Sequence, residues 1–226
     1  MHVFEADVWL WPQDVSPDRL KAARAFLAED EIERATRLVR SLHRDRHIRD
    51  RAKLRQVLGA ETGQDPRDIT FDYGANGKPS IAGGPDFNLS HSGGLAALAI
   101  SRDGALGIDI EKMRPIEDGV ARHHFSAAEY AELHRLTPAE RVEGFFQCWT
   151  RKEAIIKACG LGMAMPLASF DVSLTPGKAA LLDRIEGDAP SAWRLVHFEP
   201  GAGWAGAIAA RTDGREIQLN WREINR

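Results

Sequence analysis

Two acidic residues separated by one position, Asp109 and Glu111, are the first candidates for chemistry in this sequence. They lie in the run GIDIEK at residues 107–112, which predicts a β-strand with both carboxylates on one face, about 6.6 Å apart, and Ile108 and Ile110 facing the core. Two negative charges this close repel each other unless a cation lies between them, and ligands that are all oxygen suit magnesium. The alternative is a strand whose outer face is simply solvated.

A charged pair on a predicted helix is the second candidate. Glu153 and Lys157 are four positions apart in the run at residues 149–157, so they share one helix face. Such a pair can be an ordinary surface ion pair that stabilises the helix by a few tenths of a kcal/mol. The apolar neighbours Phe146, Trp149 and Ile156 favour a pair that projects into a partly enclosed site.

Two predicted turns contain residues that suit phosphate groups. The run NLSHSGG at residues 88–94 ends a strand with hydroxyl groups, the His91 imidazole and two glycines. Backbone amides in such a turn, together with an imidazole, bind phosphate. The second turn, NGKP at residues 76–79, contains Lys78. Both segments are also compatible with ordinary structural turns.

Positive charge is concentrated between Arg34 and Arg55. These 22 residues contain nine arginines and lysines and only two aspartates, although the whole chain carries a formal net charge of −3. This concentration could attract a nucleic acid, a phosphorylated cofactor or an acidic protein surface. A solvated helical face is the other interpretation.

These candidates require a fold that positions them, and the pattern of apolar residues and turn residues predicts its elements. Strands are expected at residues 3–4, 8–11, 69–72, 87–90, 95–100 and 106–110, and again at 169–174, 179–182, 193–197, 204–210 and 216–220. A first helix is expected to begin at Ser16 and Pro17. Further helices are expected at residues 32–58, with a break near 41–43 and an end at Gly59, and at 127–136 and 140–158, with an end at Gly160.

The order of these elements repeats along the chain. Residues 69–72, the glycine-lysine pair at 77–78 and the strand at 95–100 have counterparts at 168–171, 177–178 and 204–209. The repeat predicts an α+β fold built from two similar halves, residues 1–105 and 106–226, with a cleft between them.

Composition excludes several classes of protein. With 226 residues, 43% of them hydrophobic and 28% charged, the chain has enough apolar material for a packed core and is neither disordered nor fibrous. Its longest apolar run, residues 95–100, is far shorter than a membrane span. Cys148 and Cys159 fall on one predicted helix, about 16 Å apart along its axis, which excludes a disulfide between them. Without a recognisable signal peptide, a cytoplasmic protein is expected.

Taken together, the motifs closely resemble the ordered set of the surfactin-type phosphopantetheinyl transferases. The resemblance spans about residues 31–172, and the spacing of 44 positions between Asp109 and Glu153 also agrees with the family. Each motif is weak alone, but five in the same order are specific. They are NGKP at 76–79, FNLSHSG at 87–93, GIDIEK at 107–112, the pair at 125–126 with Glu129, and WTRKEA at 149–154 with Lys157.

The resemblance implies a pseudo-twofold α+β monomer, a pair of similar α/β subdomains with the active site in the cleft between them. It implies transfer of the 4'-phosphopantetheine arm of coenzyme A to a serine of an apo acyl or peptidyl carrier protein, with release of adenosine 3',5'-bisphosphate and with magnesium as cofactor. The first half would bind the coenzyme A nucleotide, and the second would contribute the metal ligands and the catalytic residues. No nucleic acid or membrane partner is implied.

The resemblance also implies roles for residues at matching positions. Asp109, Glu111 and Glu153 would hold the metal, and Glu153, Lys157 and His91 would be catalytic. Residues that would contact coenzyme A are Arg46, Gly77, Lys78, Pro79, Asn88, Ser90, His91, Lys152 and Lys157. Among these, Arg46 would bind the ribose phosphate of the nucleotide.

Two departures from the family pattern affect this assignment. Relatives often carry lysines upstream of the arginine at position 46, whereas this chain reads EIER at residues 31–34. Glu111 stands where some relatives have an apolar residue, which favours three carboxylate ligands over two. Two rival functions remain at this point: a nucleic-acid-binding protein that uses the basic segment, and a coenzyme A-binding protein without catalysis.

Overall fold

The computed structural model describes residues 2–223, apart from the side chain of Met163. Its first half runs in the order β1 (Phe4–Pro12), α1 (Pro17–Arg24), α2 (Glu29–Thr36), α3 (Ser41–Thr62), β2 (Asp72–Tyr73), β3 (Pro79–Ser80), β4 (Asp86–Ser92) and β5 (Leu95–Ser101). The second half runs in the order β6 (Leu106–Lys112), α4 (Asp118–His124), α5 (Ala127–Arg135), α6 (Pro138–Cys159), β7 (Phe170–Val172), β8 (Leu182–Ile185), β9 (Trp193–Phe198) and β10 (Trp204–Arg211). Each half is therefore a strand, three helices, a short hairpin and a longer hairpin. A last strand, β11 (Ile217–Arg222), follows.

The main sheets of the two halves have the same strand order. The first is β11-β1-β5-β4 and the second is β6-β10-β9. In both, the first strand of the half pairs antiparallel with the last strand of the longer hairpin. β11 pairs parallel with β1, so the C-terminal strand completes the sheet of the first half. The expected division at residues 105/106 separates β5 from β6 but places β11 in the wrong half.

The core is layered in the order α3, first sheet, second sheet, α6. Alternation along β1 directs Trp9 and Trp11 towards the α3 residues Leu54 and Leu58. Other β1 side chains, among them Val8, face the second sheet instead and share a cluster with residues of β6 and β10. α6 covers the outer face of the second sheet and shares a cluster with β10 residues. The site described below lies where β4, β6 and α6 meet.

Each of the two long helices ends at a glycine in the left-handed conformation. α6 ends at Gly160, as expected, in a left-handed conformation with φ of 68°. The expected end of α3 at Gly59 is wrong, because the helix continues to Thr62 and ends at Gly63, where φ is 70°. Gly59 allows a close approach instead, since a Cβ there would lie 2.9 Å from the Gln64 carbonyl oxygen.

The other expected elements fall near the observed ones. α1 is capped by Ser16, whose hydroxyl accepts a hydrogen bond from the Arg19 amide. α4 lies between the strand expected at residues 106–110 and the helix expected at 127–136, where no helix was expected. None of the helices in residues 2–223 has the length and apolar character needed to cross a membrane. Cys148 and Cys159 both lie in α6 as unpaired thiols.

Candidate active site

Side chains of β4 join the two sheets at the candidate site. Asn88, Ser90 and Ser92 alternate along β4 and face the backbone of β6. Their oxygens accept hydrogen bonds from the amides of Ile108 and Lys112 at 2.9 and 3.0 Å and from the intervening residue 110 at 3.2 Å. This side-chain ladder replaces backbone pairing between β4 and β6, and it fixes the strand that carries the acids.

The same serines bind the two carboxylates of β6. The Ser90 hydroxyl donates to Asp109 Oδ1 at 2.8 Å, and the Ser92 hydroxyl donates to Glu111 Oε2 at 2.6 Å. Asp109 is buried and Glu111 is partly exposed. Both acids therefore lie on the side of β6 that meets β4, as the alternation of the strand predicts.

Lys157 reaches across from α6 to Asp109. Its Nζ lies 2.6 Å from Asp109 Oδ1, 3.1 Å from Ser90 Oγ and 3.2 Å from the Ile108 carbonyl oxygen. Among residues 2–223 there is no ion pair between Lys157 and Glu153 within 4 Å. The surface-pair interpretation of the α6 residues is therefore wrong, because the lysine is committed to β6.

Burial makes the acidic groups at this site unusual. It raises the pKa of the Asp109 carboxyl above its ordinary value, against the opposing effect of the Lys157 ammonium. Burial and the nearby Asp109 charge also raise the pKa of Glu153. Groups with perturbed pKa values of this kind concentrate at functional sites.

The donor set of Asp109, Glu111 and Glu153 fits a hard divalent cation. All three supply carboxylate oxygens, and Asp109 Oδ2 is buried without a hydrogen-bond partner in the described part of the chain. The described residues contain no group of three histidines, cysteines, aspartates or glutamates already gathered around one point. The Lys157 ammonium supplies the positive charge next to Asp109 in this arrangement.

A pocket of about 660 Å³ opens beside these groups. Glu153 and Lys157 line it from α6, and the turn at residues 76–79 with Asn88 lines it from the first half. Its other walls are largely apolar. The pocket thus lies between residues of both halves, at the cleft that the repeat predicts.

Lys78 lines this pocket, but its ammonium group binds backbone carbonyl oxygens. Nζ donates to the carbonyl oxygens of Leu106, Lys157 and Ala158 at 2.7 to 3.3 Å, so the ammonium caps the C-terminal end of α6. Burial lowers the pKa of this lysine. Lys78 therefore ties the turn of the first half to the helix that carries Glu153 and Lys157.

Two aromatic groups form part of the pocket wall, and one of them, His124, was not predicted from the sequence. His124, from the unexpected helix α4, lies edge-to-face against Trp149 with ring centroids 5.3 Å apart, and both line the pocket. Trp149 was read only as an apolar neighbour. The glycine at position 119 weakens the helical signal of α4, which hid His124.

Arg46 and His91 lie outside this pocket lining, near the turn between β4 and β5. The Arg46 guanidinium makes two hydrogen bonds to Asp14, at 2.7 and 2.8 Å. It also lies 3.2 Å from the point where a Cβ on Gly94 would stand. His91 is an exposed residue of β4, three positions before that glycine.

Lys152 does not belong to the coenzyme A-contacting set. Its side chain is completely buried, and Nζ bonds to Glu129 Oε1 at 2.8 Å and to the carbonyl oxygens of Leu167 and Phe170 at 2.7 and 2.6 Å. All three ammonium protons are used inside the second half. The expected contact between Lys152 and coenzyme A is therefore corrected to an internal structural role.

The basic segment is divided among several environments rather than forming one solvated stripe. Arg51 and Arg55 both pair with the buried carboxylate of Glu31, and Arg46 pairs with Asp14. These pairings neutralise much of the charge that suggested a nucleic-acid surface. They also show that Glu31, the first residue of EIER, holds α3 through its two arginines.

Known proteins resemble this chain in sequence over most of its length. A family model described as the 4'-phosphopantetheinyl transferase superfamily matches residues 105–209. The chain is 36% identical over 212 residues to the 4'-phosphopantetheinyl transferase HetI of a Nostoc species, covering 91% of this chain and 87% of that protein. It is 31% identical over 179 residues to the 4'-phosphopantetheinyl transferase Sfp of Bacillus subtilis, covering 78% of this chain and 80% of Sfp. Among solved structures, a holo-[acyl-carrier-protein] synthase of Thermotoga maritima is 17% identical with a TM-score of 0.38, covering 46% of this chain and 61% of that one.

Proposed function

Because this chain belongs to the 4'-phosphopantetheinyl transferase family, we propose that it transfers the 4'-phosphopantetheine arm of coenzyme A to a serine of an apo carrier protein. The observation that supports this most directly is the contact of Lys157 with Asp109 and Ser90, beside Glu153 and a pocket shared by both halves. A cation, several carboxylates and a ligand-sized pocket lie next to one another there, and transfer from a pyrophosphate requires such groups.

In this reaction the carrier serine oxygen forms a bond to the phosphorus that carries the pantetheine arm. The bond from that phosphorus to the bridging oxygen of the pyrophosphate breaks, and adenosine 3',5'-bisphosphate leaves with the electron pair. Lys157 would stabilise the charge that develops on the leaving oxygen. Glu153, a carboxylate whose pKa is raised by burial and by the nearby Asp109 charge, would accept the serine proton.

The three carboxylates Asp109, Glu111 and Glu153 would hold magnesium. A bound magnesium ion would supply positive charge to the pyrophosphate oxygens. The side chains of β4 would orient two of these acids, because Ser90 donates a hydrogen bond to one oxygen of Asp109 and Ser92 donates one to Glu111. We also propose that the protein is a monomer and is located in the cytoplasm. The unpaired thiols of α6 are consistent with a reducing compartment.

Nucleotide binding is assigned to the first half. Gly77, Lys78, Pro79 and Asn88 would line the nucleotide pocket, and Arg46 with His91 would bind its phosphates. Arg46→Ala is expected to weaken coenzyme A binding by about 10-fold or more, and dephospho-coenzyme A binding much less. Calorimetric titration of both ligands measures this, and equal losses for both would contradict the assignment of Arg46 to the ribose phosphate.

The function is tested by mass measurement. A purified apo carrier protein incubated with this protein, coenzyme A and magnesium should gain about 340 Da, the mass of the phosphopantetheine arm. Asp109→Asn, which keeps the shape of the side chain, is the matched inactive control. No mass gain on acyl or peptidyl carrier proteins would refute the proposed function.

A further inference from the structure

A second cleft lies on the other side of the first half. It is bounded by α1, α3, the end of β1 and the end of β11, and its volume is about 900 Å³. It shares none of its lining residues with the pocket beside Lys157. We call it the Lys53 cleft, defined by Arg19, Arg49 and Lys53 together with the apolar residues around them.

Three cations meet in the Lys53 cleft. Arg49 and Lys53 stand one turn apart on α3, and Arg19 faces them from α1. Lys53 is 8% exposed as a whole residue, and its ammonium forms no hydrogen bond or ion pair with a described residue of the cleft. The Nε of Arg49 is buried without a partner in residues 2–223. Cationic donors that no protein group engages are available to an anionic ligand.

The nearby acids offset the charge of these cations only in part. Asp50 is held by the indole of Trp11 at 3.0 Å and by the amide of Gln13 at 2.6 Å. Arg222, a fourth cation of the wall, is itself paired with Asp7 at 2.8 Å. Glu223 is the remaining acid of the lining, and it is exposed. The cleft therefore has an excess of positive charge.

Burial and mutual repulsion both act on the cations of the cleft. Burial lowers the pKa of Lys53, and the charges of Arg49 and Arg19 lower it further. Burial and the charge of Arg19 also lower the pKa of Arg49, against the opposing effect of Asp50. A bound anion would relieve both the repulsion and the lost hydrogen bonds.

Apolar surface completes the cleft. Leu10, Trp11, Phe26 and Trp221 contribute to its walls, beside the cationic groups. Its concave shape and volume suit a small molecule better than a flat protein surface. We propose that the Lys53 cleft binds a small organic phosphate with at least two negative charges, joined to an apolar or planar group.

The proposal is tested with a planar fluorescent polyanion, pyrene trisulfonate, and with inorganic pyrophosphate as competitor. Binding is measured by fluorescence titration of the unmodified chain and of Lys157→Ala, which alters the pocket of the active site. We expect one probe site per chain, displacement by pyrophosphate, and equal probe affinity in Lys157→Ala. The double variant Arg49→Gln/Lys53→Met should bind the probe on the order of 100-fold more weakly, because two charge-assisted contacts are lost.

Two further variants make the result specific. The matched control Arg37→Gln/Arg40→Gln removes the same charge from exposed positions and should bind the probe as the unmodified chain does. The single variant Arg19→Gln changes only an exposed side chain and should weaken binding about 10-fold, even if the double variant does not fold.

Several outcomes would overturn the proposal. One is equal weakening in the control, which would indicate attraction by net charge alone. Another is weaker probe binding in Lys157→Ala, which would place the probe in the active site. A third is displacement by a polyglutamate peptide but not by pyrophosphate, which would indicate a protein-docking surface. Unchanged binding by both Arg19→Gln and the double variant would also exclude the site.

Discussion

Lys152 of α6 is one partner of a buried ion pair in the second half. The structure buries this lysine completely and uses its three protons on Glu129, Leu167 and Phe170. Glu129 in turn accepts hydrogen bonds from the Ser126 amide at 2.9 Å and from a second amide, at position 172, at 2.8 Å. Lys152→Met retains much of the stem but removes the charge and all three bonds.

The expected cost is large because one charge of a buried pair is left alone. Breaking a buried ion pair by removing one partner costs about 3 to 5 kcal/mol. With a urea dependence of about 3 kcal/mol per M, the unfolding midpoint should fall by about 1 to 2 M. The two amides that still donate to Glu129 reduce the loss of stability. The carbonyl oxygens of Leu167 and Phe170 lose their donor and increase it.

Urea unfolding followed by tryptophan fluorescence measures the stability, and calorimetry measures coenzyme A binding at low temperature, where the variant stays folded. The exposed lysine in Lys178→Met is the matched control and should change stability by less than about 0.5 kcal/mol. The double variant Lys152→Met/Glu129→Gln removes both charges and should be more stable than Lys152→Met alone.

The coenzyme A affinity of Lys152→Met should stay within about twofold of the unmodified chain. An unchanged midpoint combined with a coenzyme A affinity reduced 10-fold or more would refute this reasoning. It would return Lys152 to the ligand-binding set.

Three other perturbations test the site and its supports. Lys157→Ala should lower the transfer rate roughly 100-fold to 1000-fold in steady-state kinetics while coenzyme A affinity falls less, and near-normal rates would remove α6 from the catalytic machinery. Gly107→Ala should destabilise the protein by about 1 to 3 kcal/mol and lower activity, because its Cβ would overlap the Ala154 carbonyl oxygen of α6; a urea midpoint equal to that of the unmodified chain would contradict this close packing. Burial alone would raise the pKa of Glu31, but its two arginine partners lower it overall, so its stabilising effect is complete above the ordinary value of about 4.5 and is lost as pH falls through the lowered pKa. Glu31→Gln should flatten this acid limb of stability against pH, and an unchanged limb would show that other carboxyls cause it.

The long elements were predictable because each has a strong local pattern. The alternation in β1, the short apolar runs of β5 and β10 and the apolar face of α6 indicate their type without any knowledge of their partners. The end of α3 was not predictable in the same way. Two glycines, Gly59 and Gly63, could each end the helix, and the close packing of residues 64–66 against Gly59, which accompanies the end at Gly63, is not visible in the apolar pattern.

The site was predictable as a set of positions on local faces. The two-residue period of β6 puts Asp109 and Glu111 on one side, and the motif order relates them to Glu153. The partners of the lysines followed no such rule. Lys157, Lys78 and Lys152 all lie in or beside recognisable motifs, yet one binds Asp109, one caps α6 and one is buried against Glu129.

Local geometry explains this difference. A strand or helix period depends on backbone dihedrals within a few residues, so the sequence alone determined which face each side chain occupies. A lysine has a long flexible stem, and the partner it reaches depends on which carbonyls and carboxylates another element brings within about 3 Å. The packing of α6 on β6, and of the turn at residues 76–79 on the end of α6, supplied those partners, and these contacts join positions 28 to 80 residues apart. Only the tertiary structure could decide them.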